Sequence, residues 1–277
     1  MRHFFLLLSI LIFAVPGMTR TWTDEEAGIR LQELKKERSR ANIEQIIAIG
    51  KDGPELPLLQ NEVFSALNST GPSALANEFA KEVLDSETAP EMMKYGALGY
   101  LAAKPEPWMI PYAEKYLLSD KPAKLRAVAS FLATKLNVAN AQSTAEAVMN
   151  DTAIGIWRVM ALYALAEIKT PEEVKALAAG KQLGEREIYN AMSYADFRGA
   201  SEATKESVLS KWLQTRHPML EEQALMYMLE KGNAALFVNN KVLPASKRWQ
   251  AKIRKLGYEL TGEATDLSIN RLSLDQY

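Results

Sequence analysis

Six stretches of this chain line up at a fixed spacing of 32 residues. With copies starting at Pro57, Ala89, Lys121, Ala153, Glu185 and His217, a proline (Pro90, Pro122, Pro218) falls on the second position of three of them. Ser65, Ala97, Ala129, Ala161 and Ser193 fall on the ninth, and only Leu225 departs from a small residue there. A period of this length belongs to stacked supersecondary units, each burying its apolar face on the next. It predicts an all-α chain of antiparallel helix pairs.

Each copy opens with an amphipathic stretch whose proline or polar start suits a first helical turn, where the amide has no intrahelical partner. The expected helices are Pro90 to Ala102, Pro122 to Leu136 and Ala153 to Ile168. A small ninth residue lets neighbouring helices approach closely at one point per layer, with large residues such as Val128, Phe131, Leu132, Met160, Leu162 and Leu165 around it. The second halves read as helices over Ser73 to Leu84, Trp108 to Leu118, Ala139 to Met149, Pro171 to Ala179, Glu202 to Leu213 and Ala234 to Leu243. Gly71-Pro72, Lys104-Pro105-Glu106-Pro107, Thr170-Pro171 and the Gly180 to Gly184 stretch separate them.

The run Asp151 to Leu165, with an acid ahead of the helix, Arg158 before a small residue and an Ala/Leu-rich second half, resembles the first helix of a HEAT repeat. Asp120 to Ala133 repeats it with Arg126 and Ala129. The resemblance spans roughly residues 57 to 248 and is strongest in copies two to four. The period is shorter than the usual HEAT length of about 40 to 47. Tyr95, Leu98 and Gly99 echo a tetratricopeptide helix, but that family's later signature residues are missing. Membership of this short HEAT-like class implies a right-handed α-solenoid, a HEAT-like or ARM-like superhelix, with an extended interaction surface and no shared chemistry.

The ends differ from the middle. Met1 to His3, the apolar run Phe4 to Val15 and the exit Pro16 to Thr19 read as a secretory signal peptide over residues 1–19, shorter than the about 20 apolar residues that span a bilayer, with an uncleaved anchor as the alternative. Residues 20–56 are expected to cap the array with two helices, one opened by the N-cap Thr23 and running to about Arg38, the other running from Ala41 to Ile49 and ending at Gly50. Residues 57–248 hold six repeats, and residues 249–277 a closing helix and a polar tail.

There is no cysteine, which excludes disulfides, thiolate metal sites and a cysteine nucleophile. About 255 residues left after signal removal bury a core without staples. These features fit export to a bacterial periplasm or the extracellular space. Lys plus Arg is 33 against 34 for Asp plus Glu, so composition gives no sign of a nucleic-acid partner. The basic groups Lys247 to Lys255 and Arg30 to Arg40 read as solvated helix faces.

Past the signal segment, His217 is the only histidine, so a histidine-based triad or zinc site lacks its parts. Glu172-Glu173 and Glu221-Glu222 stand at helix starts, where carboxylates complement the dipole rather than face each other across a cleft. Two features stand apart. Lys94, Arg126 and Arg158 share the sixth repeat position and form a basic ladder. The structural reading pairs them with loop acids such as Asp120 and Asp151, and the functional reading makes them an anion or acidic-peptide groove. Asp196 stands in an apolar column with Tyr100, Leu132, Ala164 and Met228, and asks for a partner such as Arg198 or a ladder arginine, or for a substrate.

The chain therefore reads as an exported, non-catalytic scaffold, without a cofactor or metal, that binds a protein or peptide along its concave face. One alternative is an enzyme or accessory module in cell-wall carbohydrate cleavage, with Asp196 or a nearby Glu as acid. Another is an anion-binding receptor using the ladder.

Overall fold

The computed structural model describes residues 21–181, 183–198, 200–215 and, beyond these, 217, 220, 221, 223–225, 227, 242, 243, 250, 251, 254, 263 and 264. The expected signal segment, much of the sixth repeat and most of the C-terminal segment lie outside them. The fold is all-α. Val242–Leu243 pairs in parallel with Glu263–Ala264, so the end of the expected Ala234 to Leu243 helix is extended instead. Among the described residues no helix is long and apolar enough to cross a membrane. The chain divides into two compact units at Tyr100 and Leu101.

The first unit contains α1 (Asp24–Leu34), α2 (Arg40–Asp52), α3 (Pro57–Thr70), α4 (Ala74–Asp85) and most of α5 (Glu91–Ala103). Caps fix the starts: Thr23 and Glu26 form a reciprocal capping box, Ser39 accepts from the Asn42 amide, and Ser73 accepts from the Ala76 amide. Leu31, Ile46, Phe64 and Leu67 are buried, and Phe64 stacks on Phe79 at 5.3 Å between centroids. Fully burying such a side chain contributes about 1.5–3 kcal/mol. Helix α2 does not end at Gly50 as its sequence suggested. It continues to Asp52, and Gly50 serves packing: a Cβ there would lie 2.7 Å from Phe79 Cζ and 2.9 Å from Val63 Cγ1.

The second unit contains α6 (Ile110–Leu117), entered through a 3-10 turn at Pro107–Met109, then α7 (Ala123–Lys135) and α8 (Ala141–Asn150). A longer 3-10 turn, Thr152–Trp157, leads into α9 (Arg158–Ala166), followed by α10 (Pro171–Ala178), α11 (Glu185–Phe197) and α12 (Glu202–Thr215). The helix expected from Ala153 to Ile168 is thus broken. Gly155 sits at φ 54° and ψ −130°, which interrupts the helical backbone.

In the first unit α1 packs on α2 and α3, and α2 on α3 and α4. In the second, α7 packs on α8 and α9, and α9 on α10 and α11. The ninth repeat position supplies the close approach: Ala97, Ala129 and Ala161 have no exposed surface and Ser193 is 5% exposed. Copy one is out of step, because Ser65 is exposed and Ala66 takes the buried place.

Side-chain bonds between layers follow the same period. Lys51 reaches Glu82 and Lys181 reaches Asn150, each 31 residues away, and Lys135 reaches the Ala102 carbonyl 33 away. A side chain and its counterpart one repeat on are therefore neighbours in space.

Candidate functional site

The loop acids expected to pair with the basic ladder are engaged elsewhere. In the first unit, Lys94 stands in the first turn of α5 and its ammonium donates to the Glu87 carbonyl at 3.2 Å. In the second unit, Arg126 stands in the first turn of α7 and Arg158 is the first residue of α9. These helices pack together, and the Thr152–Trp157 turn packs on both. Arg158 is only 1% exposed. Its Nε donates to the Gly155 carbonyl at 3.1 Å, while its Nη2 is buried without a hydrogen-bond partner, as is Nε of Arg126.

The expected pairing with loop acids does not form. The Asp120 carboxylate takes the Lys121 ammonium at 3.0 Å, and Asp151 Oδ1 accepts from the Ala153 amide at 2.9 Å, capping the turn. Both acids are nearest in sequence to groups other than the arginines, and local geometry wins.

Asp196 is half-buried on α11 and accepts a hydrogen bond from Trp212 Nε1 on α12 at 3.1 Å. The anticipated arginine partner is absent, because Arg198 Nη1 instead donates to the Ala166 carbonyl. Burial raises the Asp196 pKa above the ordinary carboxylate value, opposed by the Trp212 bond. Its partner therefore lies towards α12.

Sequence reasoning missed a cluster on α7, α9 and α11. The rings of Phe131, Tyr163 and Tyr194 lie mutually 5.5–5.9 Å apart between centroids. The Lys135 ammonium sits 4.7 Å from the centre of the Phe131 ring and 3.7 Å from Glu167 Oε1, which also accepts from the Tyr194 hydroxyl. Burial holds the Lys135 ammonium below the usual lysine range, against the pull of Glu167, and burial pushes the Tyr163 and Tyr194 hydroxyls up. A signal was available: Phe131 and Tyr163 share the eleventh repeat position, and Lys135 and Glu167 the fifteenth.

Beside this cluster lies an open groove of about 330 Å³. Its rings are Tyr163, Tyr194 and Phe197, and Arg186, Asn190, Ser193 and Gln223 supply its polar groups. Asn190 occupies the repeat position of the ladder and accepts from Gln223 Nε2 at 2.6 Å. At the start of α11, the His217 ring stacks on Tyr189 at 4.0 Å with its Nε2 3.4 Å from Glu185 Oε1. Glu173 forms a capping box with Thr170, consistent with a helix-start role.

Comparison of the chain with protein-family models, with curated proteins and with solved structures yields no match.

Proposed function

We propose that this chain is an exported, HEAT-like repeat protein of the bacterial periplasm or extracellular space that acts as a non-catalytic scaffold for a protein or peptide. Within the second unit α7 packs on α9 and α9 on α11, with α8 and α10 packed alongside, which supports stacked helix pairs of the kind a right-handed HEAT-like solenoid is built from. The observation that carries the functional reading is the groove of Tyr163, Tyr194, Phe197, Arg186, Asn190 and Gln223. Rings supply rigid contact area, while amides and a guanidinium match the donors and acceptors of a peptide backbone.

The enzymatic alternative, carbohydrate cleavage with Asp196 as acid, draws support from the raised pKa of that carboxyl. Against it stands the hydrogen bond that ties Asp196 to Trp212. Random-peptide display on the immobilised protein, run beside a cell-wall glycan turnover assay, separates the two. Enrichment of a peptide class without turnover supports the scaffold, and turnover lost on Asp196→Asn supports the enzyme.

A further inference from the structure

The first turns of α7 and α9 hold a combination that is costly as it stands. The N-terminal end of a helix carries partial positive charge and favours an anion. Helices α7 and α9 have no acid in that turn and present Arg126 and Arg158 there. Burying a guanidinium in such a positive environment is unfavourable unless it is paired.

Arg158 is buried nonetheless, and its Nη2 has no acceptor. Nε of Arg126, on the helix packed against α9, lacks one as well. The two acids nearest in sequence are committed to Lys121 and to the Ala153 amide. The Thr152–Trp157 turn packs on both helices and has open space at Gly155, where a Cβ would meet nothing within 4 Å. The turn also carries Ile156 at 59% exposure.

We infer that Arg158 and Arg126 seat an oxyanion between the N-terminal ends of α7 and α9, the anion being a carboxylate or a phosphate. Guanidinium forks donate in parallel to such groups, and the amides of a helix start add to the attraction. Binding supplies the acceptors that Arg158 Nη2 and Arg126 Nε lack. In assigning the anion to an acidic side chain of a docked partner the inference rests on the scaffold reading, whereas the seat itself rests only on these arginines.

The test is isothermal titration of the full chain at low ionic strength with inorganic phosphate and, separately, with a short poly-glutamate peptide. Wild type is compared with Arg158→Met and Arg126→Met. The expected result is saturable binding of at least one probe, weakened roughly tenfold or more by either substitution, the loss that follows when a charged hydrogen bond is removed. Tighter binding of phosphate identifies a free small anion, and tighter binding of the peptide identifies a partner's carboxylates. In anion-poor zwitterionic buffer, Arg158→Met should melt at or above the wild-type temperature, because an apolar side chain replaces an unpaired buried charge. Absence of binding by either probe, or unchanged affinity in Arg126→Met, overturns the seat. Asn190→Ala, in the groove, should leave phosphate affinity unchanged, so failure of the peptide groove and failure of the anion seat are separately visible.

Discussion

The Tyr194 hydroxyl on α11 donates to Oε1 of Glu167, the residue that closes α9, and Lys135 of α7 lies 3.7 Å from that same oxygen. One carboxylate thus joins three successive layers. Glu167→Ala leaves the Tyr194 phenol without its acceptor and the partly buried Lys135 ammonium without its counter-ion, and should cost about 1–3 kcal/mol. Tyr194→Phe removes a single bond and should cost about 0.5–1.5 kcal/mol. Urea unfolding of the two single variants and the double variant checks this, with a non-additive double expected because the groups touch.

Close approach of the layers at the ninth repeat position makes Ala129 and Ala161 intolerant of size. Ala129→Leu or Ala161→Leu should each destabilise by about 1–3 kcal/mol through overpacking. Ser65→Ala should be silent in the same thermal melts, since Ser65 is exposed. Gly50→Ala should behave like the buried alanines, because its Cβ would meet Phe79 and Val63 below 3.0 Å.

Gly155 offers a contrast in mechanism. A side chain there has room, yet φ 54° with ψ −130° is a region that L residues rarely adopt. Gly155→Ala should destabilise by about 1–3 kcal/mol through backbone strain alone. A neutral result in chemical denaturation would show that the turn is free to re-form as helix.

The raised Asp196 pKa has a definite sign. Between the ordinary carboxylate value and the raised one the folded state binds more protons than the unfolded state, so stability falls as pH rises through that window. At neutral pH the deficit persists. Asp196→Asn, which keeps an acceptor for Trp212, should melt above wild type at pH 7, and the difference should close below about pH 4. Melting curves across that range decide it.

Helix positions and the small-residue packing were legible because period and apolar pattern are properties of neighbouring residues. Register faltered where one residue of drift is invisible in the alphabet, as at Ser65 and Ala66, and where Gly155 broke an otherwise helical pattern. The ladder of Lys94, Arg126 and Arg158 was visible as a column of charge, but its partners were not. Whether Asp120 turns to Lys121 or to Arg126 depends on loop geometry that spacing does not carry. The aromatic cluster needed three helices at once. Tyr194 stands one position before the aromatic column of Phe131 and Tyr163, so its ring joined theirs only through packing.

The central claim, that the face formed by α9 and α11 binds a peptide, is tested most directly by calorimetric titration of a display-selected peptide against wild type, Arg186→Ala, Asn190→Ala and Asp196→Asn. The account predicts affinity reduced about tenfold or more by each groove substitution and unchanged by Asp196→Asn, with circular dichroism showing all four proteins folded. Equal affinity for wild type and both groove variants, or loss of binding confined to Asp196→Asn, would contradict it.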